Sequence, residues 1–375
     1  MMTEREALLR LTLARGIGSV AISRLREVFP NLPEVFAASE EALRPVLTPA
    51  RAAEFVRQRN SGELNALYEQ ELRLTDQQNV RWLTVDDADY PALLKQMINP
   101  PAALYVRGSL LVEDEAAVAM VGTRRATPYG LSTAGQFAKA LSRAGITVVS
   151  GLAEGIDRAA HEGALEAGGR TIAVVGHGLS MIYPPHHRGL AEKIAQQGAI
   201  VSEFPMGIEP EAGNFPRRNR VIAGLSLGTL VVEAPSRSGA LITAREAGEI
   251  GRAVFAIPGP VSSPQSQGSF ALLKDGAKLV TTVGDIFEEL APALKDRIAQ
   301  WSGDLTAEAR VPLKEALAPE EAAIIKFIPV GSPVNLEQLA AQIQIPASDL
   351  LSSLTELELR GVVRQMPGHG FSRTA

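Results

Sequence analysis

The middle of the chain alternates short apolar runs with longer amphipathic stretches. Seven runs are rich in β-branched residues and apolar at nearly every position: 117–123, 147–151, 171–176, 199–204, 229–234, 253–259 and 278–282. Strands that are buried on both faces of a parallel sheet have this pattern. The stretches between them, such as 131–144 and 156–167, have helical spacing. The alternation predicts an α/β fold, an extended Rossmann-like doubly wound sheet over 108–290.

The segments on either side of this region have different patterns. Residues 1–60 are helix formers interrupted by glycines and prolines, which predicts a small helical domain, and 61–107 is interpreted as a connecting segment that leads into the sheet. Residues 291–312 carry a proline and charges without clear periodicity and are interpreted as a linker. In 313–375 three helical stretches precede a hairpin pattern, which is the order of a winged-helix domain. The third helix should turn Leu350, Leu351, Leu354 and Leu357 inward.

Composition narrows the classes of protein that fit. A chain of 375 residues should form more than one domain. With 37 Lys and Arg against 42 Asp and Glu, the net charge of -5 excludes nucleic-acid binding by overall charge, so any such site must be a local basic cluster. The absence of cysteine excludes disulfides and thiolate metal sites and fits a reducing compartment. No secretory signal or membrane span is visible, so we expect a cytoplasmic protein without a membrane partner.

The loop after the first predicted strand carries a small hydroxyl and two arginines, in the order Gly122, Thr123, Arg124, Arg125. Open α/β sheets bind their ligands at such loops, and arginines hold phosphate well. The loop is neither Gly-x-Gly-x-x-Gly nor a P-loop, so no dinucleotide or other cofactor is expected. A tight turn with solvated arginines is the alternative interpretation.

A second loop, after the strand at 147–151, is built from small residues. Ser150 and Gly151 would let a ligand approach the backbone closely. Asp157 and His161 have the i, i+4 spacing of metal or acid/base pairs, but no third ligand is evident. We therefore interpret Asp157 as a carboxylate that stabilises the start of a helix.

The densest basic cluster opens a later, otherwise apolar helix. It consists of Phe215, Arg217, Arg218, Asn219 and Arg220. An aromatic ring that stacks on a base beside arginines is the combination expected of proteins that bind single strands. A solvated helix start is the alternative, although cations are unfavourable at a helix N-terminus unless an anion is present.

A fourth strand-to-helix loop carries Ser238 and Gly239, so four loops should meet at one edge of the sheet. No Gly-x-Ser-x-Gly elbow occurs, and no histidine has an evident partner serine, so no catalytic residue is predicted. His186 and His187 follow Tyr183 and two prolines. We interpret them as part of a surface loop and expect no metal there.

These motifs together resemble the DprA family, also called Smf, of DNA-processing proteins. The matching segments are 121–124, 150–157, 215–226 and 238–244, and the string Phe-Pro-x-Arg-Asn-Arg that begins at Phe215 is the most specific of them. The resemblance implies single-stranded DNA as the ligand, at Arg124, Ser150, Gly151, Phe215, Arg218 and Arg220. It also implies a homodimer that protects incoming DNA and loads the recombinase RecA during natural transformation and recombination, without catalysis. One departure is Glu154, since some relatives have lysine in that loop.

The flanking segments match accessory domains of the family. Residues 1–60 resemble a SAM or helix-hairpin-helix-like domain, with its turn at Gly16-Ile17-Gly18. Residues 313–375 resemble the winged-helix domain of many relatives. Its third helix exposes acidic residues, among them Asp349, Glu356 and Glu358. Acidic side chains repel phosphates, so protein contacts are expected ahead of duplex DNA as its role.

An enzymatic alternative comes from a second resemblance. The fold is similar to that of the lysine-decarboxylase-like phosphoribohydrolases, which cleave nucleoside monophosphates. Thr243 and Glu246 preserve the end of their Thr-x-x-Glu loop, but 239–242 lacks the glycines that admit the phosphate. DNA binding is therefore favoured, and a nucleoside-monophosphate phosphoribohydrolase is kept as the alternative.

Overall fold

The computed structural model describes residues 2–300, 324–328, 334–343, 345, 350, 353–354, 357, 363–366 and 370–373. The chain divides into two compact units, Met1–Arg310 and Val311–Ala375.

The first unit combines helices of very different lengths. They are α1 (Glu4–Leu13), α2 (Ser19–Val28), α3 (Leu32–Val35), α4 (Glu40–Leu43), α5 (Pro49–Asn60), α6 (Glu63–Gln77), α7 (Ala92–Lys95), α8 (Pro128–Arg143), α9 (Ile156–Glu166), α10 (Arg188–Gln197), α11 (Asn214–Gly224), α12 (Gly239–Glu249), α13 (Gln267–Lys274) and α14 (Val283–Gln300). Short 3-10 turns cover Val112–Glu115, Pro185–His187 and Pro264–Ser266. Within the described ranges, no helix has the length and apolar character needed to cross a membrane.

One sheet of nine strands forms the centre of this unit. The strands are β1 (Val80–Thr84), β2 (Ala103–Gly108), β3 (Ala117–Val121), β4 (Thr147–Ser150), β5 (Thr171–Val175), β6 (Ala199–Ser202), β7 (Gly228–Val231), β8 (Ala253–Ala256) and β9 (Lys278–Leu279). Their order is β1-β2-β6-β5-β4-β3-β7-β8-β9. All pairs from β6 to β9 in this order are parallel, whereas β1 and β2 pair antiparallel. The seven predicted strands and the doubly wound α/β fold are therefore confirmed.

Helices cover both faces of the sheet because successive strand residues point to opposite faces. Val118 and Met120 of β3 pack with α8, α9 and α14, while Ala117, Ala119 and Val121 pack with α7, α11 and α12. Parallel strands that are covered on both sides need apolar residues at consecutive positions. This requirement explains the continuous apolar runs in the sequence.

The N-terminal helices have their own core and also cover the antiparallel edge of the sheet. Phe55 and leucines of α1–α6 form one buried cluster. The opposite faces of α1 and α6 place Leu9 and Tyr68 against Trp82 of β1. Trp82 stacks on Tyr105 of β2 with ring centroids 5.2 Å apart. The predicted helices of 1–60 are present, and they pack directly on the sheet.

Two predicted boundaries are wrong. The segment 61–107 is more than a connection, because it contributes α6 and the strands β1 and β2. The predicted linker at 291–312 begins inside α14, which continues through Pro292 to Gln300. Leu290 and Leu294 of α14 are buried against the sheet, and this burial offsets the backbone hydrogen bond that the proline cannot donate.

The second unit agrees with the winged-helix prediction. Its described elements are β10 (Val334–Asn335), α15 (Leu336–Ile343), β11 (Val363–Met366) and β12 (Gly370–Arg373), with strand order β10-β12-β11. Leu350, Leu354 and Leu357 are buried as predicted, beside Phe371. The predictions for Leu351 and for the acidic residues Asp349, Glu356 and Glu358 lie outside the described residues.

A buried carboxylate joins three segments at the amino end of the parallel strands. Asp114 receives two hydrogen bonds of 2.8 Å from the guanidinium of Arg170, which precedes β5. It also accepts from the Thr147 hydroxyl at the start of β4 and from the Leu111 amide, each at 2.8 Å. The Asp114 side chain is 7% exposed and that of Arg170 is 24% exposed.

Replacing Asp114 should therefore destabilise the sheet. In Asp114→Ala the guanidinium of Arg170 loses its carboxylate partner and keeps only the carbonyls of Ser109 and Gln197. We expect the free energy of unfolding to fall by about 2–4 kcal/mol in chemical denaturation. Glu166→Ala is the matched control because its pair with Lys139 has side chains that are 61% and 40% exposed. That change should cost less than about 1 kcal/mol. Equal stability of the two variants would contradict this account of Asp114.

Candidate nucleic-acid interface

The candidate site lies where the strand order of the sheet reverses. From β3 the chain proceeds through β4, β5 and β6 on one side, and then returns to place β7 on the other side of β3. Ligands of open α/β folds bind beyond the carboxyl ends of the strands at this point. Four helices, α8, α9, α11 and α12, begin at this edge, and their free N–H groups favour anions.

A cleft of about 330 Å³ occupies this edge. Nine of the predicted residues line it: Gly122, Thr123, Arg124, Arg125, Phe215, Arg218, Asn219, Ser238 and Gly239. The lining also includes Val121, Ala153, Asp157, Ile222, Pro235, Arg237, Ala240 and Thr243. All four predicted loops thus meet at this cleft. Three of them contribute residues that were predicted, whereas the loop after β4 contributes Ala153 and Asp157 in place of Ser150 and Gly151.

Arg218 fixes the floor of this cleft. Its side chain is buried, and its Nη1 donates hydrogen bonds to the carbonyls of Gly151, at 2.7 Å, and of Val174. Its Nε donates to the side chain of Asn219 at 3.1 Å. Burial lowers the pKa of Arg218 to about 10, and the charge of Asp157 acts in the opposite direction. The guanidinium therefore remains charged at neutral pH and links α11 to the loop that follows β4 and to the end of strand β5.

Phe215 lies half-buried beside two guanidinium groups. The Cζ of Arg124 is 5.1 Å from the centre of the ring and that of Arg218 is 6.0 Å away. Tyr183 packs at a centroid distance of 6.3 Å, with the ring planes inclined by 43°. Both arginines lie within the range of cation–π attraction. The ring is thus held at the cleft by neighbours from three separate segments.

Glu233, which follows β7, anchors the arginine loop. It accepts hydrogen bonds from the Thr127 amide at 2.9 Å and from the Thr127 hydroxyl at 2.6 Å. Thr127 in turn caps α8 by accepting from the Gly130 amide. Gly155 packs against the other side of the loop with φ +79, and a Cβ there would lie 2.4 Å from the Thr123 carbonyl oxygen. The backbone that carries Arg124 and Arg125 is therefore held from both sides.

The cleft is basic although the chain is acidic. Its lining contains four arginines and one carboxylate, Asp157. Asp157 accepts hydrogen bonds from the amides of Gly151 and Ala153, as predicted for a carboxylate at a helix start. Burial raises the pKa of Asp157 against the opposing effect of Arg218.

Three of these arginines are exposed and are not engaged by carboxylates. Among the described residues, the side chains of Arg124, Arg125 and Arg237 form no ion pair. Their guanidinium groups are therefore available to an anionic ligand.

Four predicted residues do not line the cleft. Ser150 is buried and donates its hydroxyl hydrogen bond to the Met120 carbonyl, and Gly151 packs against the guanidinium of Arg218. Arg217 is exposed and lies over the ring of Phe204. Arg220 pairs with Glu203 and donates to the Asn99 carbonyl at 2.7 Å.

The arginines of α11 therefore have different environments. Successive helical residues point about 100° apart, so Arg217, Arg218 and Arg220 cannot share one face. Groups within the protein offset the three positive charges at this helix start. Arg218 is bonded to carbonyls, Arg220 to a carboxylate, and Arg217 lies over an aromatic ring.

Sequence reasoning missed several residues around the cleft. Arg237 directly precedes Ser238 in the fourth predicted loop, so its residue type and its position were usable signals for a site residue. Glu233 and Tyr183 act through contacts between distant segments, which sequence spacing does not reveal.

His187, expected on a surface loop, is 3% exposed. His161 is also buried, which lowers its pKa to about 3, and its Nδ1 hydrogen-bonds the Thr171 hydroxyl at 2.7 Å.

Two family models together match most of the chain. The family model for DNA recombination-mediator protein A matches residues 81–291, and that for the DprA winged helix domain matches 308–369. The Protein Smf of Synechocystis is 38% identical over 386 residues, which cover 96% of each chain.

Two solved structures are similar to this fold. The DNA processing protein A of Streptococcus pneumoniae matches with a TM-score of 0.65 and 33% identity, over 76% of this chain and 98% of its own. That of Helicobacter pylori, described for its single-stranded DNA binding mode, matches with a TM-score of 0.51 and 32% identity, over 58% of this chain and 97% of its own. Since the sheet domain, the winged helix and a relative matched along nearly its whole length agree, the chain belongs to the DprA/Smf family of DNA-processing proteins.

Proposed function

We propose that this protein binds single-stranded DNA in the cleft at the reversal point of the sheet and loads RecA onto the bound strand. The observation that carries the proposal is the presence of three exposed, unpaired arginines around a half-buried phenylalanine. Phosphates and unstacked bases are the two groups that such a set recognises together. The described binding mode of the Helicobacter pylori relative supports the same ligand.

The roles of the side chains follow from their surroundings. Arg124, Arg125 and Arg237 are exposed and contact phosphates, since no carboxylate competes for them. Phe215 stacks on a base. Arg218 is a positioning residue, because its Nη1 and Nε are already bonded to backbone carbonyls and to Asn219. Arg220 belongs to the contact with Glu203 rather than to the ligand.

Transfer of the strand to a recombinase is the second part of the proposal. The family description as a recombination mediator supports it. Such a protein must hold the strand without reading its sequence, and stacking and phosphate contacts meet this requirement because every base has a π-face. A homodimer would present two clefts to one strand and increase its effective affinity.

The hydrolase alternative has less support in the cleft. Thr243 of the Thr-x-x-Glu element lines the cleft, whereas Glu246 is not among the lining residues. A carboxylate that acts on a nucleotide must reach the reacting atoms. Release of free base from a nucleoside monophosphate by this protein would nevertheless favour the hydrolase.

Removing the ring should weaken DNA binding without changing its dependence on salt. Stacking contributes about 1–3 kcal/mol per base, so Phe215→Ala should weaken binding of an oligonucleotide about 5- to 150-fold for any base sequence. Phe215→Tyr keeps the π-face and is the control, which should bind nearly as the parent does. Fluorescence anisotropy at several salt concentrations measures both quantities. Parental affinity in Phe215→Ala would exclude stacking at this ring.

Removing one guanidinium should change the salt dependence as well as the affinity. Each lost phosphate contact reduces the slope of log K against log salt by about 0.7 for single strands, and this is the change expected for Arg124→Ala. Arg143→Ala removes an exposed arginine at the opposite end of α8 and should leave the slope unchanged. RecA assembly promoted by the protein should fail in Arg124→Ala. If its slope equals that of Arg143→Ala, the phosphates bind elsewhere.

Assembly can be tested with strands of different lengths. We expect the full chain to sediment as a dimer, and a strand that spans both clefts to bind about 100-fold more tightly than one that fills a single cleft. Analytical ultracentrifugation and anisotropy provide the two measurements. A chain that remains monomeric on long strands would contradict the homodimer.

A further inference from the structure

A second group of side chains lies close to the cleft but outside its lining. Glu154 belongs to the loop between β4 and α9, and His186 and His187 lie in the 3-10 turn that precedes α10. One ligand atom from each of the three residues lies within 4.8 Å of the other two. Carboxylate oxygen and imidazole nitrogen are ligands of divalent transition metals.

The buried histidine has a nitrogen without a partner. His187 is 3% exposed, and its Nδ1 lies 3.0 Å from the carbonyl oxygen of Leu152. A carbonyl only accepts, so Nδ1 carries the proton, and Nε2 of the neutral ring has the lone pair. That Nε2 is buried without a hydrogen-bond partner and lies 3.4 Å from Oε1 of Glu154. Two acceptors therefore face each other, an arrangement that a cation between them would stabilise.

The separation of these two atoms fits a tetrahedral ion. Zinc binds imidazole nitrogen at about 2.0–2.1 Å and carboxylate oxygen at about 2.0–2.2 Å, so adjacent ligand atoms lie about 3.3–3.5 Å apart. The His187–Glu154 separation has this value. The bond from Nδ1 to the Leu152 carbonyl is also typical, because ligating histidines usually donate their other nitrogen to a carbonyl or carboxylate.

The third side chain is placed to complete the set. His186 hydrogen-bonds through Nε2 to Oε1 of Glu154, and its ring meets that of His187 edge to face at a centroid distance of 4.7 Å. This hydrogen bond lowers the pKa of Glu154. His186 and Glu154 are partly exposed, so both can adjust around an ion.

The approach to this group is open and not strongly positive. Both histidines line an outer cleft together with Arg158 and Glu162. Arg158 is the cation nearest to Glu154 in sequence on α9, and its Nε is paired with Glu162 at 2.8 Å. That pair offsets the repulsion which Arg158 would exert on an incoming ion.

We propose that Glu154, His186 and His187 form a binding site for a divalent transition metal of the Zn²⁺ class. Three protein ligands leave a fourth position for water or an external ligand. The site is separate from the DNA cleft, since none of the three residues lines that cleft. The proposal does not depend on the ligand of that cleft.

Titration with metal alone tests the proposal. The full chain without a histidine tag is stripped with a chelator and titrated with Zn²⁺ by calorimetry, in the absence of DNA. One equivalent should bind with micromolar affinity or better. Glu154→Gln and His186→Ala should each weaken Zn²⁺ binding at least about 10-fold. Replacing a residue that merely supports a metal ligand already costs about that much, and these two residues are proposed ligands. Because both side chains are partly exposed, the fold should persist, and circular dichroism checks this.

A control and a local probe make the outcome specific. Glu192→Gln removes an exposed carboxylate of α10 that does not line the outer cleft, and this variant should bind Zn²⁺ as the parent does. In the parent, Zn²⁺ should shift the ¹⁵N resonance of His187 Nε2 and leave Nδ1 protonated. Absence of Zn²⁺ binding, equal affinity in all variants, or a His187 ring that carries protons on both nitrogens and does not respond to Zn²⁺ would overturn the proposal.

Discussion

The buried guanidinium of Arg218 is the constraint on which the candidate site depends. It bonds to carbonyls at the ends of β4 and β5 and interacts with Asp157 at the start of α9. A buried cation costs free energy unless all of its hydrogen-bond donors have partners. The segments around Arg218 are therefore restricted to positions in which they supply those partners. Phe215 rests on the same group. The geometry of the cleft is thus set by one internal charge.

The distribution of arginines explains how an acidic protein can have a basic cleft. Most arginines of the described N-terminal region are paired, as Arg26 is with Asp86 and Arg57 with Glu54. Pairing removes their charge from the long-range field, and exposed pairs add little stability. The unpaired arginines near the reversal point therefore dominate the local potential. Net charge describes the behaviour of the whole chain, while binding depends on which cations are left without partners.

The loop between β4 and α9 has two different sides. Ala153 of this loop and Asp157 at the start of α9 line the candidate cleft, while Glu154 contacts the two histidines. Leu152 in the same loop fixes its position relative to the histidines and to β5. Its carbonyl accepts the hydrogen bond of His187, and its side chain is buried beside Val175. The carboxylate of Glu154 is thus engaged by the two histidines and does not line the cleft that carries the arginines.

The sequence by itself determined the layered α/β fold, the seven parallel strands and the loops that meet at the cleft, because strands covered on both sides need continuous apolar runs and parallel strands align their carboxyl ends. It did not reveal β1 and β2, which join the sheet antiparallel at its edge and lie outside the repeated strand–helix alternation that predicted the other seven strands. Tertiary structure alone decided that Arg218 is internal and that Arg220 pairs with Glu203. Such roles depend on the helix face that each residue occupies and on partners distant in the chain, which local spacing does not specify.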